Sequence, residues 1–157
     1  MLEFKLIYGN DGYTAAKSIR EEVFISEQGF SFDYDEKDLV SWHVCGIDNG
    51  KTIAAARLFE KSHGIFTIGR VAVKKEYRGQ YIADTLMRIL EDKAVALSGH
   101  TVELSANENA IGFYEKQGYE KSGESYFEEH VRHIAMIKDL TKPFKKCSCC
   151  KKTSQTL

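Results

Sequence analysis

The chain has 157 residues, of which 43% are hydrophobic and 29% charged, enough for one domain with an apolar core. Its 22 Lys and Arg stand against 23 Asp and Glu, and a net charge of -1 gives no basic field to draw it onto nucleic acid or an anionic membrane. MLEFKLIYGN lacks the basic start and long apolar run of a secretory signal, and no apolar stretch approaches the ~20 residues that span a bilayer. Cys45 lies alone, and Cys147, Cys149 and Cys150 crowd one short segment, which is no disulfide framework. Reduced thiols and a cytoplasmic location are expected.

In chain order, residues 2–8 (LEFKLIY) roughly alternate apolar and charged side chains, as a half-buried strand does. From Tyr13, the residues Ala16, Ile19, Val23 and Phe24 recur at helical spacing, and this helix is predicted to stop near Gln28-Gly29. SFDYDEKD (31–38) has no apolar period and reads as an acidic loop. LVSWHVCGI (39–47) and TIAAARLF (52–59) flank Asp48-Asn49-Gly50, and Asn-Gly tolerates the positive φ of a tight hairpin. KSHG (61–64) then turns into IFTIGRVAVKK (65–75). Alternation there places Ile65, Thr67, Gly69, Val71 and Val73 on one face and Phe66, Ile68, Arg70 and Ala72 on the other. These strands read as a four-stranded antiparallel meander.

Ile82, Leu86, Ile89, Leu90, Ala94 and Leu97 form one apolar helical stripe, closed by Ser98-Gly99. HTVELSA (100–106) is a further strand, NENAIGFYEKQG (107–118) a short helix, and YEKSGESYF (119–127) and HVRHIAMIKDL (130–140) two last strands. A strand-helix-strand passage implies a right-handed parallel crossover, so the sheet is mixed and the class is α/β (α+β). One domain over 1–140 is expected, with 141–157 a polar, Lys- and Cys-rich flexible tail around Pro143.

The most informative stretch is KKEYRGQYIADTLMRIL (74–90), a basic, glycine-bearing turn that opens a helix. The first N–H groups of a helix have no partner within it, and the helix dipole adds positive charge there. Arg78 can fork onto a phosphate, and Gly79 allows close backbone approach, so the turn can cradle an anion. A bare Arg-Gly pair is also compatible with an ordinary solvated turn.

The strand, RGQYIA, the amphipathic helix and the later NAIGFYEKQGY resemble, in that order, the GCN5-related N-acetyltransferase (GNAT) superfamily. IREEVFISEQGFSFDYDEKD and FYEKQGYEKSGESYFEEHVRHIAMIK are similar to its branch of small, mostly uncharacterised bacterial acetyltransferases. The resemblance runs from the first strand to about Leu140. It implies a GNAT fold, a splayed mixed sheet of about seven strands with about four helices on both faces. It also implies acetyl-CoA as co-substrate, its pyrophosphate held by Arg78, Gly79, Gln80, Tyr81, Ile82 and Ala83. Tyr81 departs from the family pattern, which has glycine there. The pantetheine arm would run along Val71, Ala72 and Val73, and Asn107 would hold the cofactor or cap a helix.

The reaction so implied is transfer of acetyl from the thioester to a primary amine, of a small molecule or peptide. Tyr114 matches the tyrosine that protonates the departing thiolate in many relatives. Glu27, His43 and His133 are candidates for the base, with Glu27 first. Asp33 and Asp35, in the acidic loop near the expected acceptor mouth beside His43, suit a cationic amine. A homodimer is left open, and neither nucleic acid nor membrane is an expected partner. His130-x-x-His133 is not assigned a metal, because an odd separation on a strand puts the rings on opposite faces. Cys147, Cys149 and Cys150 lack a second paired cluster, so no metal is expected there either. A non-catalytic acyl-CoA-binding or regulatory module of the same fold is the alternative.

Overall fold

The computed structural model describes residues 1–142, so the expected tail from residue 143 on, with its cysteines, lies outside the described residues. Seven strands form one sheet in the order β1-β2-β3-β4-β5-β7-β6: β1 (Leu2–Tyr8), β2 (Trp42–Asp48), β3 (Lys51–Ser62), β4 (Ile65–Val73), β5 (Thr101–Asn107), β6 (Glu120–Glu128) and β7 (Val131–Asp139). The first four make the predicted meander. β4 and β5 are parallel, and the other neighbours are antiparallel.

Among the described residues three α-helices are present rather than the expected four: α1 (Asn10–Arg20), α2 (Ile82–Ala96) and α3 (Ile111–Lys116). The remaining helical turns are short or wide. A π-helical segment, Glu21–Glu27, prolongs α1 to Gln28, and Gly29 then turns away at φ 77°. Leu39 and Val40 are not in a strand; they end a 3₁₀ turn, Glu36–Val40, that the Asp35 side chain caps through the Lys37 N–H. The predicted loop therefore has a built second half. Helix α1 begins before Tyr13 because Gly12 lets it lie close to β1 and β2. A Cβ there would stand 2.3 Å from the Ile7 carbonyl oxygen.

Two cores sandwich the sheet. On one face α1 packs Ala16, Ile19 and Val23 against Cys45, Ala55 and Ala72. On the other, Leu86, Met87 and Leu90 of α2 pack against Val44, Ala54, Leu58, Phe66 and Ile68. Each fully buried Leu contributes about 1.5–3 kcal/mol by leaving water, so the stripe read from the sequence anchors α2.

Strand β4 does not alternate strictly. Phe66 and Ile68 face α2, whereas Ala72, which strict alternation would put beside them, faces α1. The cause is a bulge. Ala55 pairs with Ala72 but Arg57 pairs with Gly69, leaving one extra residue on β4, and Arg70 takes φ 52°. Just ahead of the bulge, after Thr67, β4 departs from β5. The two pair only over Ile65–Thr67 with Thr101–Glu103, and the sheet opens between them.

Candidate active site

That opening is a cleft of about 950 Å³. Val71 on β4, Asn107 at the end of β5, Tyr114 on α3, Glu27 at the end of the π segment, and His133 on β7 all line it. Arg78 stands at its junction with a second pocket of about 360 Å³, which Val73, Gly79, Tyr81, Ile82 and Ala83 line. Most predicted site residues thus share two adjoining spaces. Gln80, Ala72, Asp35 and His43 are exceptions: the Gln80 side chain reaches back to the Glu76 carbonyl, Ala72 is buried against α1, and Asp35 and His43 line neither space.

The turn before α2 has the chemistry of an anion site. The first helical bond recorded at its start runs from the Thr85 N–H to the Tyr81 carbonyl, and no side chain caps the N–H groups ahead of it. Gly79 at φ 81° and Tyr81 at φ 62° curl the chain ahead of the helix, and Gly79, Tyr81, Ile82 and Ala83 line the small pocket. Tyr81 adopts the left-handed conformation that a glycine would take easily, and its side chain, 64% exposed, stands out toward solvent. A phosphate would fit this cradle, and Asp84, the acidic residue in the first turn, is engaged by the Gln117 amide at 3.0 Å.

Along β4 the Lys74 N–H donates to Ile53 on β3, so alternation turns the Val73 amide and carbonyl to the opposite edge. Nε of Arg78 already donates to that carbonyl at 2.9 Å. The rest of its guanidinium forks onto Glu27, with both N–H···O distances 2.7 Å. The Arg78 hydrogen bond holds the Glu27 carboxyl below its ordinary range. A base must have an available lone pair and a matched pKa, and this carboxylate is committed on both oxygens.

Tyr114 is 8% exposed, and burial pushes its phenol up to about 12. Its ring meets Phe113 and Tyr119 edge-on, at 5.0 and 6.0 Å between centroids. Its hydroxyl has no hydrogen-bond partner among the described residues, which leaves it available to the cleft that it lines. Asn107 does cap: its side-chain oxygen accepts from the Asn109 N–H at 3.0 Å, at the start of the turn Glu108–Ala110 that leads into α3.

The acidic loop is not an open negative mouth. Asp33, 5% exposed, pairs with Arg20 at 2.7 Å, and Asp38 pairs with Arg20 at 2.6 Å and Arg57 at 3.0 Å. Asp35 pairs with Arg57 at 2.6 Å and Arg70 at 3.2 Å. Three arginines thus neutralise the three aspartates and fasten the loop to α1, β3 and the β4 bulge. His43 does not line the cleft. It is buried on the α1 side of β2 with Nε2 2.9 Å from the Asp38 carbonyl, and burial lowers its pKa. The attraction expected of Asp33 and Asp35, and a substrate role for His43, are corrected accordingly.

The β6–β7 turn crosses the cleft mouth to meet the segment after α1. The Glu129 carboxylate accepts from the Ser31 N–H at 3.1 Å and from its hydroxyl at 2.6 Å, and His130 Nε2 lies 2.7 Å from the Gln28 carbonyl. Because His130 sits in this turn, strand alternation does not apply to it, and both His130 and His133 approach the Phe30 ring. The two rings are not on opposite faces as expected. Sequence reading missed Arg57, Arg70, Ser105 and Glu128; none stands in a motif, and only the fold gathers them.

A splayed sheet with an anion cradle opening α2 and a tyrosine at the cleft defines an acyltransferase of the GNAT type. A sequence profile described as acetyltransferase (GNAT) domain matches residues 22–140, and the chain belongs to this family. It is 31% identical over 124 residues to YjcF of Bacillus subtilis (strain 168), an uncharacterized N-acetyltransferase, covering 77% of this chain and 88% of that one. To the protein ElaA of Escherichia coli (strain K12) it is 30% identical over 132 residues, 80% and 86% of the two chains. The crystal structure of Escherichia coli ElaA matches the fold with a TM-score of 0.79 at 26% identity, over 88% of this chain and 100% of that one. An acyl-CoA N-acyltransferase from Pseudomonas aeruginosa matches with a TM-score of 0.78 at 27% identity, over 88% and 99%.

Proposed function

We propose that the protein transfers the acetyl group of acetyl-CoA to a primary amine by direct attack on the thioester, in the cleft between β4 and β5. The observation that carries this reading is the meeting there of three elements that are unsatisfied among the described residues: the free edge of β4, the uncapped N–H groups before α2, and the unpartnered Tyr114 hydroxyl. Bound acetyl-CoA supplies the activated acyl group. The cradle of Gly79, Tyr81, Ile82 and Ala83 would receive its pyrophosphate, with Arg78 beside it. Val71 and Val73 offer backbone groups to the pantetheine arm, and a β4 N–H facing the cleft would stabilise the oxyanion.

Tyr114 supports the sulfur. Burial pushes its phenol up to about 12, so it keeps its proton and acts as a hydrogen-bond donor to charge developing on sulfur.

The test combines calorimetry of acetyl-CoA binding with thiol release on a panel of primary amines, for wild type and Tyr114→Phe. Tyr114→Phe should bind acetyl-CoA as wild type does and turn over roughly 10²-fold more slowly. Full activity in that variant would reduce Tyr114 to a packing residue. Absence of acetyl-CoA binding by wild type would refute the proposal itself.

A further inference from the structure

The acceptor side of the cleft shows how the amine is received, an inference that rests on the transfer just proposed. Asn107 and His133 are direct partners across β5 and β7, and His133 and Tyr126 across β7 and β6, so the three side chains rise from one face. Ser105 and Glu128 share that face, each two residues along its strand. The Ser105 hydroxyl donates to Glu128 Oε1 at 3.0 Å and bonds with the Tyr126 hydroxyl.

His133 is 7% exposed, and its Nδ1 lies 3.0 Å from the Val131 carbonyl. A carbonyl only accepts, so Nδ1 carries the hydrogen and the neutral ring keeps its lone pair on Nε2. That Nε2 lies 3.4 Å from Glu128 Oε2. Two acceptors therefore face one another across the cleft wall with no hydrogen to share, and no Lys or Arg pairs with Glu128 among the described residues. A cation carrying several N–H donors satisfies both at once. The titratable groups facing His133 are Glu128 and Tyr126 on β6 and, across the Phe30 ring, His130 in the turn.

We propose that Glu128 and His133 form the acceptor site: Glu128 binds the ammonium group, and His133 Nε2 removes one of its protons. The neutral nitrogen then attacks the acetyl carbon, and its N–C bond forms as the C–S bond breaks. The second nitrogen proton passes to the departing sulfur, giving the free thiol, and His133 returns the first to solvent. Phe24, Phe30, Phe32 and Phe59 line the same space, so the ammonium belongs to an apolar, aromatic-sized body, which these rings hold by stacking and cation–π contact. Glu27 and His43 do not compete for the role, one being committed to Arg78 and the other lying outside the cleft.

The experiment measures thiol release from saturating acetyl-CoA with phenethylamine and with spermidine, against pH, for wild type, His133→Gln and Glu128→Gln. Calorimetry of acetyl-CoA binding shows whether the variants keep an intact cofactor half. Wild type should give a bell for phenethylamine, with an acid limb from the base and a fall as the ammonium deprotonates near its pKa of about 10. His133→Gln should lose roughly 10²-fold or more at neutral pH and follow only the free-base amine, rising about tenfold per pH unit. Glu128→Gln should chiefly raise KM for the amine. A His133→Gln profile that keeps the acid limb overturns the inference and leaves the acetyltransferase reading standing. Turnover with spermidine but not phenethylamine overturns the acceptor class. Acetyl-CoA binding with no thiol release on either amine refutes the inference together with the amine transfer beneath it.

Discussion

Replacing Tyr81 with glycine should make the protein more stable, the reverse of what glycine does at a helix start that is not left-handed. Tyr81 sits at φ 62°, ψ 20° with its side chain 64% exposed, so little packing is lost with the ring. An L-residue in this conformation costs about 1–2 kcal/mol. Glycine removes that strain but adds about 0.4–1 kcal/mol of unfolded-state entropy. The net expectation is stabilisation of about 1 kcal/mol, or about 2–4 °C in Tm for a chain of this size. Tyr81→Ala is the decisive comparison, because alanine keeps the Cβ and therefore the strain. In a helix interior alanine is better than glycine by about 1 kcal/mol; here the order should invert. Urea unfolding with equal m-values would measure it, and an alanine variant at least as stable as the glycine one would refute the reasoning. Acetyl-CoA affinity should change little, since the cradle N–H groups keep their places.

Two further predictions concern the ion pairs. Arg20 is buried between Asp33 and Asp38, so Arg20→Met leaves two buried carboxylates with one arginine each, Arg70 for Asp33 and Arg57 for Asp38, and should cost about 3 kcal/mol in urea unfolding; a loss under 1 kcal/mol would contradict the assigned network. Although burial opposes it, Asp38 is held down to about 2 by Arg20, the Asp35 N–H and Arg57. A carboxyl depressed on folding gives stability that is full above its unfolded pKa of about 3.9 and lost as pH falls through the folded value. About 2 kcal/mol should therefore disappear between pH 4 and 2, and Asp38→Asn should flatten that part of the stability profile. At the cleft, Arg78→Ala should weaken acetyl-CoA binding about tenfold, the cost of one charge-assisted contact. Glu27→Gln should leave binding equal or tighter, because it frees the guanidinium. A large fall in kcat for Glu27→Gln with the acetyl-CoA dissociation constant unchanged would return the base to Glu27.

The meander of the first four strands, the α2 stripe and the turn before it were legible because each rests on local chemistry: alternation, a 3.6-residue period, and glycine beside arginine ahead of a helix. The β4 face assignment failed at one place, where the Arg70 bulge inserts a residue that no neighbour in sequence betrays. Gly69 was the available hint, since an isolated glycine in a strand often marks a bulge. Tyr81 shows another boundary. Its identity argued against positive φ, yet the helix start and the flanking contacts impose it, so the local preference yields to the turn.

Charge was the least legible property, because sequence displays residues and not partners. SFDYDEKD looks acidic on its own, but Arg20, Arg57 and Arg70 lie 13 to 37 residues away from Asp33 or Asp35 and cancel the field that the loop would make. Neutralised, the loop works as a wall, fastened at the bulge just past the point where β4 leaves β5, and the cleft depends on that wall staying in place. The cation-receiving charge must then come from carboxylates without a basic partner. Among the described residues Glu128 is such a carboxylate, and it lies at the opposite wall beside His133, whose Nδ1 faces a carbonyl and leaves Nε2 open. The division of labour follows from pairing: aspartates bound to arginine hold the site's shape, and in the proposed transfer the carboxylate facing an imidazole lone pair, with no basic partner among the described residues, meets the amine.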